Sequence, residues 1–165
     1  MDRTNRANGF TLVELIIIVI IIGILSFFAV AKLGDSNAKL QYETVIQKMA
    51  TDIRYARQLA ISEGREARVY VDVSNNCYYL KWSDGTYIEN PIGGDNFIIQ
   101  LGSGDFSSIQ ITGTELDYGR LDFNAAGRPL NAGANFAGEL TVVTLNNAKR
   151  LKITANTGFL KIETL

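Results

Sequence analysis

The residue most in need of a chemical explanation is Glu14. It belongs to Gly9-Phe10-Thr11-Leu12-Val13-Glu14-Leu15, which leads into a run where every residue from Leu15 to Ala31 is apolar except Gly23 and Ser26. An ionised acid within a membrane helix costs about 2.5–3.5 kcal/mol on insertion scales, so it requires a partner. If the chain were cut after Gly9, Phe10 would present a new α-amine a little over one helical turn from Glu14. Amine and carboxylate could then neutralise each other, within one chain or between stacked chains.

Other sets of reactive side chains invite blander readings. Lys149, Arg150, Lys152 and Lys161 form the only basic cluster. Period-two alternation would place Arg150 and Lys152 on one strand face, as a phosphate-contacting pair if the partner were nucleic acid. Glu115, Asp117 and Asp122 could act as acid–base pairs only in a shaped pocket, which the sequence does not reveal, and they read as solvated loop acids. Glu89, Asn90, Asp95 and Asn96 surround Gly93-Gly94 with oxygen ligands, but the spacing fits no calcium-loop template and reads as a polar loop. Gly102-Ser103-Gly104 lacks the further glycine and helix of a phosphate cradle and reads as a turn. Asp52, Arg54 and Arg57 read as a solvated helix face with local charge pairs, with contacts between subunits as the other reading.

Composition excludes several chemistries outright. The chain has no histidine, so imidazole bases, His-based triads and His metal ligands are absent. Cys77 is the only cysteine, which rules out an intrachain disulfide and a Cys-based metal cage within one chain. It reads as a small buried or half-buried strand residue. With 16 basic against 17 acidic residues, the net charge of −1 gives no reason to expect a polyanionic partner beyond a local patch. No cofactor or metal is expected, and no enzymatic activity.

These residues must be positioned by two kinds of element. From Phe10 to Leu33 a helix would rise about 36 Å, enough to cross a hydrocarbon core of about 30 Å. Arg3 and Arg6 on the preceding flank hold that end on the cytoplasmic side. Residues 34–64 continue as an amphipathic helix, with Tyr42, Ile46, Met49, Ile53, Ala56 and Ala60 in one stripe and Gly64 as the stop. From Arg68 the pattern turns to short β-rich runs: Arg68 to Val73, Tyr78 to Trp82, Phe97 to Leu101, Ser108 to Thr112, Arg120 to Phe123, Glu139 to Leu145, Arg150 to Thr154 and Phe159 to Glu163. Asp84-Gly85, Asn146-Asn147 and Asn156-Thr157-Gly158 supply turns. The fold class is α+β, a helical spine on an antiparallel β-domain of two small sheets, within a length that suits one globular unit.

The segment Gly9 to Gly23 resembles the type IV prepilin family, whose members carry a short basic leader, Gly, Phe-Thr-Leu-x-Glu and about twenty apolar residues. The resemblance implies that residues 1–9 are a leader, that a prepilin peptidase cuts between Gly9 and Phe10 and methylates the Phe10 amine, and that Glu14 meets that amine on a neighbouring subunit. It divides the chain into leader 1–9, transmembrane helix 10–33, amphipathic helix 34–64 and a periplasmic β-domain, 65–165. Many members have a proline where this chain has Ala31, and adhesive major pilins close a disulfide that a chain with Cys77 alone cannot form.

Further along, Asp52 to Ile61 leading into Arg68-Val69-Tyr70-Val71 is similar to the H-type minor pseudopilin family, GspH/FimT. So are Phe123-Asn124-Ala125-Ala126-Gly127-Arg128-Pro129 and Leu151 to Ile162. What that resemblance implies is a structural subunit of the periplasmic pseudopilus of a type II secretion system, near its tip or initiation. Its partners would be other pseudopilins, the prepilin peptidase and an inner-membrane assembly platform. The alternative is a minor type IV pilin for pilus assembly or DNA uptake, in which Arg150 and Lys152 would be the DNA contacts.

Overall fold

The computed structural model describes the backbone of residues 11–165 and the side chains of residues 11–26 and 40–165. The chain divides into two compact units, Met1–Lys39 and Leu40–Leu165. A single helix, α1 (Leu12–Glu63), supplies residues to both. In the first unit the apolar side chains from Leu12 to Leu25 are all exposed, as on a helix that is hydrophobic all round. Among the described residues no helix is long and apolar enough to cross a membrane. The side chains of 27–33, which complete the apolar run expected to do so, lie outside them.

The C-terminal end of α1 is set by Gly64. Its φ of +64° is left-handed, and the Arg65 N–H reaches back to the Ala60 carbonyl at 3.2 Å, which satisfies an orphan acceptor of the last turn. Within the second unit, one side of α1 is fully buried: Val45, Ile46, Met49, Ala50, Ile53, Ala56 and Ala60. This is the expected stripe, widened by Val45 and Ala50, with Tyr42 only half-buried at its start. The three alanines allow close approach of the backbone, whereas truncating Ile46, Met49 or Ile53 would cost about 2–5 kcal/mol each.

Two antiparallel sheets complete the second unit. The five-stranded sheet has the order β3-β2-β1-β5-β6, built from β1 (Ala67–Asp72), β2 (Cys77–Trp82), β3 (Ile98–Gln100), β5 (Arg120–Phe123) and β6 (Pro129–Asn131). The four-stranded sheet has the order β4-β7-β8-β9, from β4 (Ile111–Gly113), β7 (Glu139–Leu145), β8 (Lys149–Thr154) and β9 (Leu160–Thr164). Val69, Leu80, Leu121 and Phe123 of the first sheet and Val143, Leu145, Leu151 and Ile153 of the second join the α1 stripe in one apolar cluster.

All eight expected strands form, with shifts of a few residues. The fourth is the most displaced, at 111–113 instead of 108–112, because Asn76 captures the backbone there. Its side chain accepts the Ile111 N–H at 2.7 Å and donates to the Ile109 carbonyl at 3.0 Å. The ninth strand, β6, carries no comparable pattern in the sequence. It is a three-residue edge strand that begins at Pro129, a residue confined to such positions because it cannot donate to a ladder.

Candidate functional site

Gly9 and Phe10, the expected cleavage and methylation positions, and the leader with Arg3 and Arg6 lie outside the described residues. The described chain begins at Thr11, which caps α1. Its Oγ1 accepts the Glu14 N–H at 3.2 Å, and its carbonyl accepts the Leu15 N–H at 3.2 Å. Glu14 therefore occupies the third helical position, in the first turn, where a carboxylate is favoured by the helix dipole. Thr-x-x-Glu is the sequence signature of a capping box, so this role is legible in the sequence beside the charge of Glu14. Within the first unit, the carboxylate is the single acid at the start of a helix whose other described side chains through Leu25 are apolar save Gly23.

The basic cluster is divided by the sheet. Lys149 points toward the core side of β8, nearly buried, and donates to Glu43 of α1. Arg150 and Lys152 share the opposite face, as period two requires. Lys152 is ion-paired to Glu163 at 2.9 Å and lies 3.8 Å from Glu139. Lys161 pairs with Glu163 at 2.8 Å. Those two lysines hold the Glu163 carboxyl down to about 2, the Lys161 hydrogen bond contributing most. A phosphate approaching Lys152 would have to displace two acids. Arg150 lines an open polar recess of about 250 Å³ with Glu115, Thr141 and Thr144. There the Thr141 N–H donates to Glu115 at 2.7 Å and holds its carboxyl below the ordinary value.

The expected loop acids separate into two kinds. Asp117 is exposed, and Glu115 is exposed but tied to Thr141. Asp122 corrects the reading: it is fully buried on β5. Strand pairing sets it opposite Arg68, and Arg120 lies 3.0 Å away on the same strand, so the acid is held between two guanidinium groups instead of in water. Burial raises its pKa and Arg120 opposes that shift. One of its oxygens lacks a well-directed hydrogen bond, although the Arg120 Nε is within ion-pair distance.

The Asp52, Arg54 and Arg57 reading also needs correction, because two of the three face the β-layers. Asp52 is buried and accepts the Tyr78 hydroxyl at 2.5 Å and Lys48 at 2.7 Å. Arg57 donates from Nε to the Gly127 carbonyl at 2.8 Å. A Cβ on Gly158 would lie 3.3 Å from the Arg57 guanidinium carbon, so the same group also covers the second loop. Arg128 then joins the loops through Asn156 at 2.7 Å. The Asn124–Arg128 and Asn156–Gly158 segments singled out in the sequence thus converge on Arg57, a contact with no local sequence signal.

The Glu89–Asn96 loop closes on itself: the Asn90 N–H donates to the Asp95 carbonyl at 2.8 Å, and the Asn90 carbonyl accepts the Gly93 and Gly94 N–H groups at 3.2 and 3.0 Å. Among the described residues no group of Cys, Asp and Glu is arranged to hold a metal. Cys77 is buried on β2, and burial raises its thiol pKa, the opposite of activation.

Parts of the chain are similar to known families and proteins. A prokaryotic N-terminal methylation motif matches residues 4–30, and the family described as type II transport protein GspH matches residues 45–158. Two curated relatives, both fimbrial proteins of Pseudomonas aeruginosa, are 27% identical over 107 residues, covering 65% of this chain and 67% of each relative. Among solved structures, the minor pseudopilin EpsH from the type 2 secretion system of Vibrio cholerae is similar with a TM-score of 0.47 and 15% identity, over 74% of this chain and 95% of that one. Since the family match alone spans more than half of the residues, this chain belongs to the GspH family of type II transport proteins.

Proposed function

We propose that the chain is a minor pseudopilin of a type II secretion system, a structural subunit of the periplasmic pseudopilus at its tip or initiation, without enzymatic activity. A prepilin peptidase removes residues 1–9 and methylates Phe10. The apolar helix, 10–33, then anchors the subunit in the inner membrane with its N-terminus cytoplasmic and its β-domain periplasmic. An inner-membrane platform moves it into a filament with other pseudopilins. The observation that carries this reading is the placement of Glu14: one acid in the Thr11-capped first turn of a helix whose other residues through Leu25 are apolar save Gly23, four residues from the junction at Phe10. Apolar helices leaving lipid must bury themselves against each other, and an acid there is tolerated when an amine neutralises it.

The reading is tested by following maturation and filament incorporation separately. Replacing Gly9 with a bulky residue should block cleavage. Glu14→Ala should leave cleavage intact and reduce incorporation at least tenfold, and normal incorporation would remove Glu14 from the assembly role. A second reading, a minor pilin for pilus assembly or DNA uptake, is favoured by the fimbrial relatives. Neighbouring genes for a secretin and secretion ATPase support the first reading, and competence or retraction genes the second.

A further inference from the structure

The outward side of the five-stranded sheet carries a group of tyrosines that filament assembly through α1 does not use. Alternation along β1 sends Val69 and Val71 into the core and Tyr70 to the other face. Tyr79 of β2 stands opposite Tyr70 in the register, and the rings stack 5.0 Å apart at 11°. A 3-10 turn over Asp117–Gly119 adds Tyr118, whose side chain is 93% exposed. Together with Asp72, Ser74 and Thr114, these three tyrosines line an open cleft of about 270 Å³.

The backbone shows how Tyr118 is displayed. Its φ of 56° and ψ of 21° lie in the left-handed region, unfavourable for a residue with a bulky ring. No burial of the ring offsets that cost. The turn cannot be seated more loosely, because Gly119 also has a positive φ and a Cβ there would lie 2.4 Å from the Val71 carbonyl oxygen.

Asp72 is the only charged residue that lines the cleft, and Arg68 and Arg120, which neighbour Tyr70 on the sheet, stay outside the lining. Asp72 accepts the Asn75 backbone N–H at 2.9 Å and its side-chain amide at 2.7 Å, and these bonds keep its carboxyl below the ordinary range. No lysine or arginine lines the cleft. Tyrosine rings around a fixed carboxylate attract an ammonium or guanidinium group. The same cluster already holds one cation outside the cleft: Lys81 sits 4.3 Å from the Tyr87 ring and 5.4 Å from that of Tyr79.

We infer that the cleft between Tyr70, Tyr79 and Tyr118, with Asp72 at its wall, receives a lysine or arginine side chain presented by another protein. A nucleic acid is disfavoured because its phosphates would meet Asp72. The wide mouth of the cleft suits a side chain projecting from a larger surface, and exposed tyrosine and arginine are the residue types that anchor protein contacts. Such a contact is available whichever filament the subunit joins.

The test uses the full-length protein in detergent micelles. The probes are an acetylated, amidated Gly-Ser-Arg-Ser-Gly peptide and its Gln counterpart, followed by amide NMR shifts at residues 72, 79 and 118. The arginine peptide should bind saturably at least tenfold more tightly than the glutamine one. Asp72→Asn and Tyr118→Asn should each weaken it at least fivefold, whereas Asp105→Asn, the same charge change at an exposed acid outside the cleft, should not. Asparagine tolerates the left-handed backbone, so Tyr118→Asn should keep its melting temperature, and lost binding then reports on the ring. Equal binding of the two peptides would overturn the assignment, as would retained binding in Tyr118→Asn or equal losses in Asp72→Asn and Asp105→Asn. So would displacement of the arginine peptide by a single-stranded oligonucleotide.

Discussion

Replacing Arg57 with alanine should release both loops that carry the family-like segments, without unfolding the helix beneath them. The Nε–H bond to Gly127 O at 2.8 Å comes from a charged donor, and such bonds contribute about 1.5–3 kcal/mol. Arg57 is only half-buried, so solvent competition places this contact in the lower half of that range. Loss of the guanidinium covering Gly158 brings the expected destabilisation to about 2 kcal/mol. Urea unfolding of the full-length protein in detergent, read from Trp82, the only tryptophan, should show a lower midpoint at unchanged slope. Amides of Gly127 and Gly158 should exchange about 30-fold faster, and those of Val69 and Leu121 in the sheet, which open only with the whole unit, should speed up by no more than that factor. Arg57→Lys should recover less than half of the loss, because an ammonium cannot reproduce the guanidinium fork. A destabilisation below about 0.5 kcal/mol with unchanged loop exchange would refute the claim that Arg57 ties these loops down.

Tyr78→Phe removes the hydroxyl that donates to buried Asp52 at 2.5 Å, leaving that acid to Lys48 alone. Urea unfolding should show a loss of about 2 kcal/mol, and a loss under about 0.5 kcal/mol would mean that water replaces the hydroxyl. Acid should destabilise the second unit through Glu163 and Glu115, whose carboxyls are held below the ordinary value of 4.5 in the folded state. Their contribution is present above pH 4.5 and fades as pH falls toward about 2 for Glu163. Asp122, raised by burial, works in the opposite direction, favouring the folded state below its ordinary value of 3.8 and losing that contribution as pH rises through its folded value. Urea midpoints between pH 2 and 6 should therefore fall less steeply for Glu163→Gln than for the parent, and superimposable curves would count against the pairing.

The amino-acid order alone determined the parts of this protein that rest on short-range periodicity. The Glu14 acid at the head of an apolar run, the amphipathic stripe through Ile46, Met49 and Ile53, the Gly64 stop and eight of nine strands are all local patterns, written within a few residues of each other. Even the Thr11 cap was present as Thr-x-x-Glu. Only the tertiary structure decided which polar side chains leave water. Asp122 and Lys149 are ordinary surface residue types, yet strand register sets one opposite Arg68 and helix packing brings Glu43 to the other. Tyr70, Tyr79 and Tyr118 come from two strands and a turn, and Arg57 meets two loops separated from it by 70 residues or more. Such groupings depend on how sheets and helix stack, since desolvation and charge act through space while sequence patterns report only on neighbours along the chain.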